Sequence, residues 1–183
     1  MQQINIQYFK TAYGELITGG FNGKLCLCDW RYRKMRETVD KRLKNRLVAN
    51  YVQVEDEVTD AAITQLQGYF SGNRKVFDLS LQLSGTDFQI KVWQHLLQVT
   101  YGTTASYAQL SKRMNNSQAV RAVAAANGAN AISIIIPCHR IIGSNGKLIG
   151  YAGGLDIKQK LLQLERCSSG RGMTYSMDLL GNT

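Results

Sequence analysis

The chain opens on short alternating stretches. Ile4-Asn5-Ile6-Gln7-Tyr8 has an apolar residue at every second position, the period of a strand with one buried face. Glu15-Leu16-Ile17 and Lys24-Leu25-Cys26-Leu27-Cys28 follow, punctuated by Gly14, Gly19-Gly20 and Asn22-Gly23, so residues 4–30 predict a small meander. The same alternation predicts that Cys26 and Cys28 point to one face. From residue 31 the period changes. Met35, Val39, Leu43 and Leu47 fall four apart among charged helix formers, which predicts a helix within 31–47. Ala61 to Phe70, with Ile63, Leu66 and Phe70, predicts another that stops near Ser71-Gly72, and Phe77 to Leu83 alternates as a further strand.

Past Ser84-Gly85 the pattern is mainly helical, and a domain boundary is placed there. Thr86 predicts the N-cap of a helix whose apolar stripe is Phe88, Val92, Trp93, Leu96 and Leu97. Tyr101 to Thr104 reads as a connector, Ser106 to Met114 as a short helix, Asn115-Asn116-Ser117 as a turn with its own capping residue, and Gln118 to Asn127 as a helix of mostly small residues. Two short helices across a tight polar turn give a helix-turn-helix outline. It suits close packing inside a protein as well as close approach to a DNA groove, and the pattern does not choose between them. Asn145-Gly146 between apolar residues signals a hairpin, which would complete a winged module. Asp156 predicts the cap of a last helix carrying Ile157, Lys158, Lys160, Leu161, Leu162, Leu164 and Glu165. The chain is therefore expected to be α/β, with a first domain over 1–83, a second over 84–167 and a loosely ordered tail over 168–183.

Composition narrows the class. With 183 residues, 44% hydrophobic and 19% charged, the chain is that of a folded protein. It has no apolar run of about 18 residues, and its start, MQQINIQYFK, lacks the basic-then-apolar layout of a signal peptide, so a cytoplasmic protein with no membrane partner is expected. The net charge of +9 is uneven: from Ser84 onward ten Lys and Arg face four Asp and Glu, against twelve and nine before it. The C-terminal half is thus the expected partner of a polyanion. The charge run 31–47 reads first as a solvated face. Phosphate contacts from Lys41 and Arg42 are the alternative, in which case reversing their charge would flatten the salt dependence of DNA binding. Cys26, Cys28, Cys138 and Cys167 do not form a disulfide framework. With only His95 and His139 beside them, no zinc spacing exists, so neither metal nor cofactor is expected.

The stretch with most chemistry is Ile132 to Ile142, an apolar β-branched run leading through Pro137 into Cys138-His139-Arg140. A buried segment of this kind would hold Cys138 at the edge of a core. Such a cysteine is either a small apolar residue or a nucleophile; His139 and Arg140 beside it favour the second, since imidazole and guanidinium groups lower a thiol's pKa.

Several blocks then combine into a resemblance. Thr86-Asp87-Phe88-Gln89 through Val92-Trp93, Thr104-Ala105-Ser106-Tyr107, Arg121-Ala122-Val123, Asn130, Pro137-Cys138-His139-Arg140, Gly150 to Leu155 and Leu161 to Glu165 stand in the order and spacing of the O6-alkylguanine-DNA alkyltransferases, also called methylated-DNA–protein-cysteine methyltransferases. The similarity is strong over 77–166. It implies an RNase H-like α/β N-terminal domain followed by a winged helix-turn-helix domain, and a monomer that binds double-stranded DNA carrying alkylated bases through the minor groove. It further implies base flipping and irreversible transfer of a methyl or larger alkyl group from O6-alkylguanine, or O4-methylthymine, to Cys138, once per molecule. By the same resemblance His139 acts as base through a water and Glu165 orients it. Tyr107, Tyr151, Ile141 and Ala152 bind the substrate base. Arg121 replaces the extruded base in the stack, with Tyr107, Ala122, Ala125 and Asn127 also on the DNA, and Asn130 links the helices to the cysteine segment. The chain departs from the family at Thr100, Ala131 and Ala124-Ala125, which stand where proline, proline and glycine are usual. Three rivals remain: a damage-binding module that accepts no alkyl group, which an intact Cys138 disfavours; a winged-helix regulator, which leaves Cys138-His139 unexplained; and a cysteine hydrolase using Cys138, His139 and Glu165, which turnover would reveal.

Overall fold

A computed structural model describes residues 2–170. Strands β1 (Gln2–Thr11), β2 (Gly14–Phe21) and β3 (Lys24–Trp30) form the expected antiparallel meander, and Asn22 and Gly23 both take positive φ in the tight turn between β2 and β3. Helix α1 (Arg36–Leu47) crosses over to β4 (Ala49–Gln53), a strand the pattern did not signal, which pairs parallel with β1. The sheet order is β3-β2-β1-β4. One face packs Ile4, Ile6, Ile17 and Leu27 against Val39 and Leu43 of α1. Met35, first in the predicted stripe, is exposed because the helix begins after it.

The other face of the sheet joins a larger core. Leu16, Leu25, Cys28 and Trp30 meet α2 (Glu57–Phe70), α3 (Asp87–Leu96), α4 (Tyr107–Arg113), α5 (Val120–Gly128) and α6 (Leu155–Ser168) through Leu66, Val92, Leu110, Val123 and Leu161. Reciprocal capping boxes start α2 (Asp56 and Thr59), α3 (Thr86 and Gln89) and α4 (Ser106 and Gln109). Among the described residues no helix is long and apolar enough to cross a membrane.

Five local expectations are corrected. In β3, Gly19 faces Leu27 and Gly20 faces Leu25, so Cys26 is a bulge residue; the extra residue breaks the alternation and sends Cys26 and Cys28 into different cores. Phe77 to Leu83 is not a strand. It meets β3 only where Leu25 binds Ser80 and Gln82, because farther along the same edge Cys28 is taken by Ala131 and Ser133. No side chain caps α5, which starts after Ala119, beyond Ser117. Gly154, at φ 92°, occupies the cap position of α6, with Asp156 inside the first turn. Asn145-Gly146 does turn the chain, closed by Gly143 N–H to Lys147 O at 2.9 Å, but no hairpin strands form: the Ile149 and Gly150 carbonyls go to Lys158, and β6 (Ile141–Ile142) pairs with β5 (Ala105–Ser106). Of the expected tail, Ser168 closes α6, and residues 171–183 lie outside the described residues.

Candidate active site

The cysteine segment is shaped by one asparagine. Asn130 Oδ1 accepts from Ile132 N–H at 2.9 Å, and its amide donates to the Ile132 and Ile136 carbonyls at 3.3 and 3.0 Å. This folds Ile132 to Ile136 into a compact buried loop, with Ile134 in the left-handed region at φ 73°. Pro137 then leads into a single 3₁₀ turn, Cys138–Arg140, placing the Cys138 thiol at the floor of a cavity of about 660 Å³.

Beneath it lies a buried polar cluster. Glu165, on α6, accepts from His139 Nε2–H at 2.7 Å, Tyr69 Oη–H at 2.8 Å, Gly102 N–H at 3.0 Å and the Arg140 guanidinium at 2.9 and 3.0 Å. Burial alone would raise the Glu165 pKa, but His139 and Arg140 hold it down, at about 2. Burial likewise depresses His139, with Arg140 and Lys158 adding to it against the pull of Glu165. A neutral imidazole that gives its Nε2 proton to Glu165 keeps a lone pair on Nδ1, and that nitrogen is buried without a protein partner. Arg140 does not face the thiol, contrary to the expectation from adjacency: its guanidinium is taken by Glu165 and by the Val99 carbonyl at 2.6 Å. The Cys138 pKa is accordingly raised by burial, more than Asn130, Lys158 and Arg33 lower it. The resting sulfur is a thiol, and it needs a base.

The cavity walls come from both halves of the chain. Tyr107, Asn127, Tyr151 and Ala152 line it with Cys138, as do Tyr32 and Arg33 of the segment before α1. Tyr107, pushed up to about 12 by burial, accepts a long 3.5 Å bond from the Asn127 amide. Tyr151 accepts from Trp30 Nε1–H at 3.0 Å. Ile141 lies outside the lining: its side chain is in the core, its N–H returns to the Cys138 carbonyl, and its own carbonyl takes Lys158. Arg121, Ala122 and Ala125 share the exposed face of α5, whereas Asn127 is turned inward.

Sequence reasoning missed Tyr69, Trp30 and Lys158. Lys158 is fully buried, with Nζ 2.6 Å from the Ile141 and Ile149 carbonyls, and burial lowers its pKa to about 8. Its only signal was position: Lys158 lies one turn before the apolar residues Leu161 and Leu162 of the same helix. The charge run 31–47 is also not simply a solvated face. Arg33, Arg36 and Arg42 turn inward, Arg33 and Arg36 to Asp29 at 2.7 and 2.9 Å and Arg42 to the Ala129 carbonyl at 2.7 Å.

Known proteins resemble this chain in sequence and fold. Residues 87–167 match the family model described as the DNA-binding domain of 6-O-methylguanine DNA methyltransferase. The chain is 48% identical over 122 residues to the methylated-DNA–protein-cysteine methyltransferase of Methanosarcina mazei, covering 67% of this chain and 77% of that one. It is 48% identical over 113 residues to the Mycobacterium tuberculosis protein of the same name, covering 62% and 68%. The crystal structure of Mycobacterium tuberculosis OGT in complex with DNA superposes with a TM-score of 0.77 at 35% identity, covering 90% of this chain and 94% of that one. That of the Mycobacterium tuberculosis O6-methylguanine methyltransferase superposes with a TM-score of 0.75 at 35% identity, covering 97% and 98%. The buried Cys138 with its His139–Glu165 pair thus sits in a chain that belongs to the methylated-DNA–protein-cysteine methyltransferase family.

Proposed function

We propose that this protein repairs DNA by direct reversal, taking the alkyl group of O6-alkylguanine, and of O4-methylthymine, onto Cys138 in a single irreversible turnover. The observation that carries the reading is the buried chain of bonds Arg140–Glu165–His139 beneath a thiol at a cavity floor. Glu165 stays ionised and fixes the His139 tautomer, so Nδ1 takes the thiol proton by way of a water. Sulfur then attacks the alkyl carbon in line with the C–O bond. The S–C bond forms as the C–O bond breaks, its electron pair remains with the guanine, and the proton held by His139 returns to the base. The products are guanine and S-alkylcysteine. Tyr107 donates to the ring as charge leaves the oxygen. Breaking the new S–C bond would have to expel a thiolate from an alkyl carbon, a poor leaving group, so the turnover is single.

The base reaches Cys138 by flipping. The exposed small face of α5, with Ala122 and Ala125, fits the narrow minor groove, and Arg121 fills the gap in the stack. Tyr151 and Ala152 hold the flipped base against Asn127 and Tyr107; Ile141 supports the floor from behind. The protein acts as a monomer in the cytoplasm. The sheet order β3-β2-β1-β4, with only β4 parallel to its neighbour, supports an RNase H-like domain over 1–83, and α4–turn–α5 supports a helix-turn-helix domain over 84–167 whose wing is a loop strapped by Lys158.

The test is the intact mass of the protein after incubation with excess duplex containing O6-methylguanine, beside Cys138→Ser. One methyl group per molecule, confined to a peptide containing Cys138 and absent from the control, is the expected result. Tight binding of the lesion without a change of mass would overturn it.

A further inference from the structure

Helix α5 has no basic residue in its last turn, where the exposed carbonyls carry the negative end of the helix dipole. The missing cations come from the other half of the chain. Arg33 Nη2 donates to the Gly128 carbonyl at 2.6 Å, Arg42 Nη2 to Ala129 at 2.7 Å, and Arg33 Nη1 to Asn130 at 2.9 Å. Arg33 is itself gripped by Asp29, which is fully buried, at 2.7 Å; the second oxygen of Asp29 accepts from the Ser133 hydroxyl at 2.9 Å. Next to them, Cys28 bonds through its backbone to Ala131 and Ser133. The whole connection between α5 and the cysteine segment, from Gly128 to Ser133, is therefore fastened to residues 28–42.

That connection matters because its two ends do different things. On one side α5 faces outward with Arg121, Ala122 and Ala125; on the other, a few residues on, is Cys138 at the cavity floor. DNA held on α5 presents its flipped base to a thiol that His139 and Arg140 tie to Glu165 and Val99 from below, while this joint sets its distance from α5. Asn130 folds the cysteine segment internally but fixes nothing relative to the body of the protein.

We propose that Asp29 and Arg33 are positioning residues for the transfer step: the guanidinium fork, aimed by the carboxylate, clamps Gly128 and Asn130 and so sets the reach between a base delivered by α5 and Cys138. This rests on the proposed function, and it gives the N-terminal half a part in the chemistry beyond support. Arg33 lines the cavity but touches no reacting atom; its pull on the Cys138 thiol bears equally on duplex and free base, and what separates the two substrates is its hold on the backbone of 128–130. A joint loosened by about 1 Å costs as much as 100-fold in rate without loss of fold.

The experiment measures single-turnover methyl transfer by wild type, Arg33→Gln, Arg33→Lys and Asp29→Asn, on duplex DNA containing O6-methylguanine and on the free base O6-methylguanine. Thermal melting of each variant reports folding. Duplex concentration is varied so that affinity and the limiting rate separate. Arg33→Gln and Asp29→Asn are expected to lower the limiting rate on duplex by roughly 10- to 100-fold, at least about fivefold more than they slow the free-base reaction, with affinity changed by less than about threefold, because a free base settles in the pocket without being delivered by the outer face of α5. Arg33→Lys keeps the charge but loses the fork and is expected to stay at least about fivefold slow. Equal losses on duplex and free base would reduce the pair to a structural role and overturn the proposal. So would a folded Arg33→Gln at the wild-type rate, or full activity in Arg33→Lys. Wild-type protein that takes no methyl group from duplex would refute the proposed function itself, and this inference with it.

Discussion

Glu165→Gln isolates the charge at the centre of the site, because the amide has nearly the volume of the carboxylate but cannot neutralise Arg140. In the wild type, the Glu165 pKa is moved from an ordinary 4.5 to about 2. At about 1.4 kcal/mol per unit, that shift represents about 3 kcal/mol of stability. The sign follows from the depressed value: the contribution is complete above pH 4.5 and is lost as pH falls from 4.5 through about 2. Removing one partner of a buried charge pair costs about 3–5 kcal/mol on independent grounds, so the two routes agree in size. The variant is expected to lose about 3 kcal/mol in urea denaturation at pH 7, with much of that difference gone at pH 3. Transfer to Cys138 should slow by roughly 100- to 10,000-fold, since a Gln side chain no longer holds the His139 proton on Nε2. Two outcomes would refute the reasoning: a variant as stable as wild type at pH 7, or the same stability difference at pH 7 and pH 3.

Burial lowers the His139 pKa, so its basic form persists on the acid side of 6.5; the transfer rate should hold level as pH drops through 6.5 and decline only below it, which single-turnover rates across pH 5–8 would check. Lys158→Met removes the donor shared by the Ile141, Ile149 and Gly150 carbonyls, and should cost about 1–3 kcal/mol for each carbonyl left unsatisfied, read as a fall in melting temperature together with slower transfer. Gly20→Ala would press a methyl group onto the Asp56 carboxylate, which also caps α2, and should destabilise by about 1–3 kcal/mol in denaturant; an unchanged midpoint would show that the close approach yields freely. For the basic stretch, Lys41→Glu alone should reduce the salt dependence of DNA binding if that exposed residue meets phosphate, while Arg42→Glu should also lower stability, because Arg42 is bonded to Ala129.

Much of the architecture was legible because its determinants are local. A period-two pattern, an Asn22-Gly23 turn and a capping residue such as Thr86 act within four residues of themselves, so β1 to β3 and α2 to α4 could be read directly, though Ser106, read as the first residue of α4, is its cap. The pattern failed where one strand gave way to several partners: Phe77 to Leu83 had the alternation of a strand, but only a short part of the β3 edge was open to it. It failed again at Cys26, where a bulge shifted the alternation by one residue. In the site, Cys138, His139, Glu165 and Asn130 were readable from the motif blocks, while Tyr69 looked like any aromatic residue of a helix.

By itself the sequence determined most of the helices and the first three strands, where the candidate nucleophile stands and which histidine follows it. Tertiary structure alone decided the charges and partners. Arg140 adjoins Cys138 in the chain yet serves Glu165; Arg33 and Arg42, in a stretch that reads as a solvated face, reach carbonyls 87 to 97 residues away; and the thiol, flanked by two basic residues, rests protonated. The physical reason is range. Backbone conformation follows from sterics and hydrogen bonds among near neighbours, whereas a buried long side chain goes to whatever polar group the fold leaves unsatisfied within its reach, and a pKa follows the dielectric and charges the fold assembles around it.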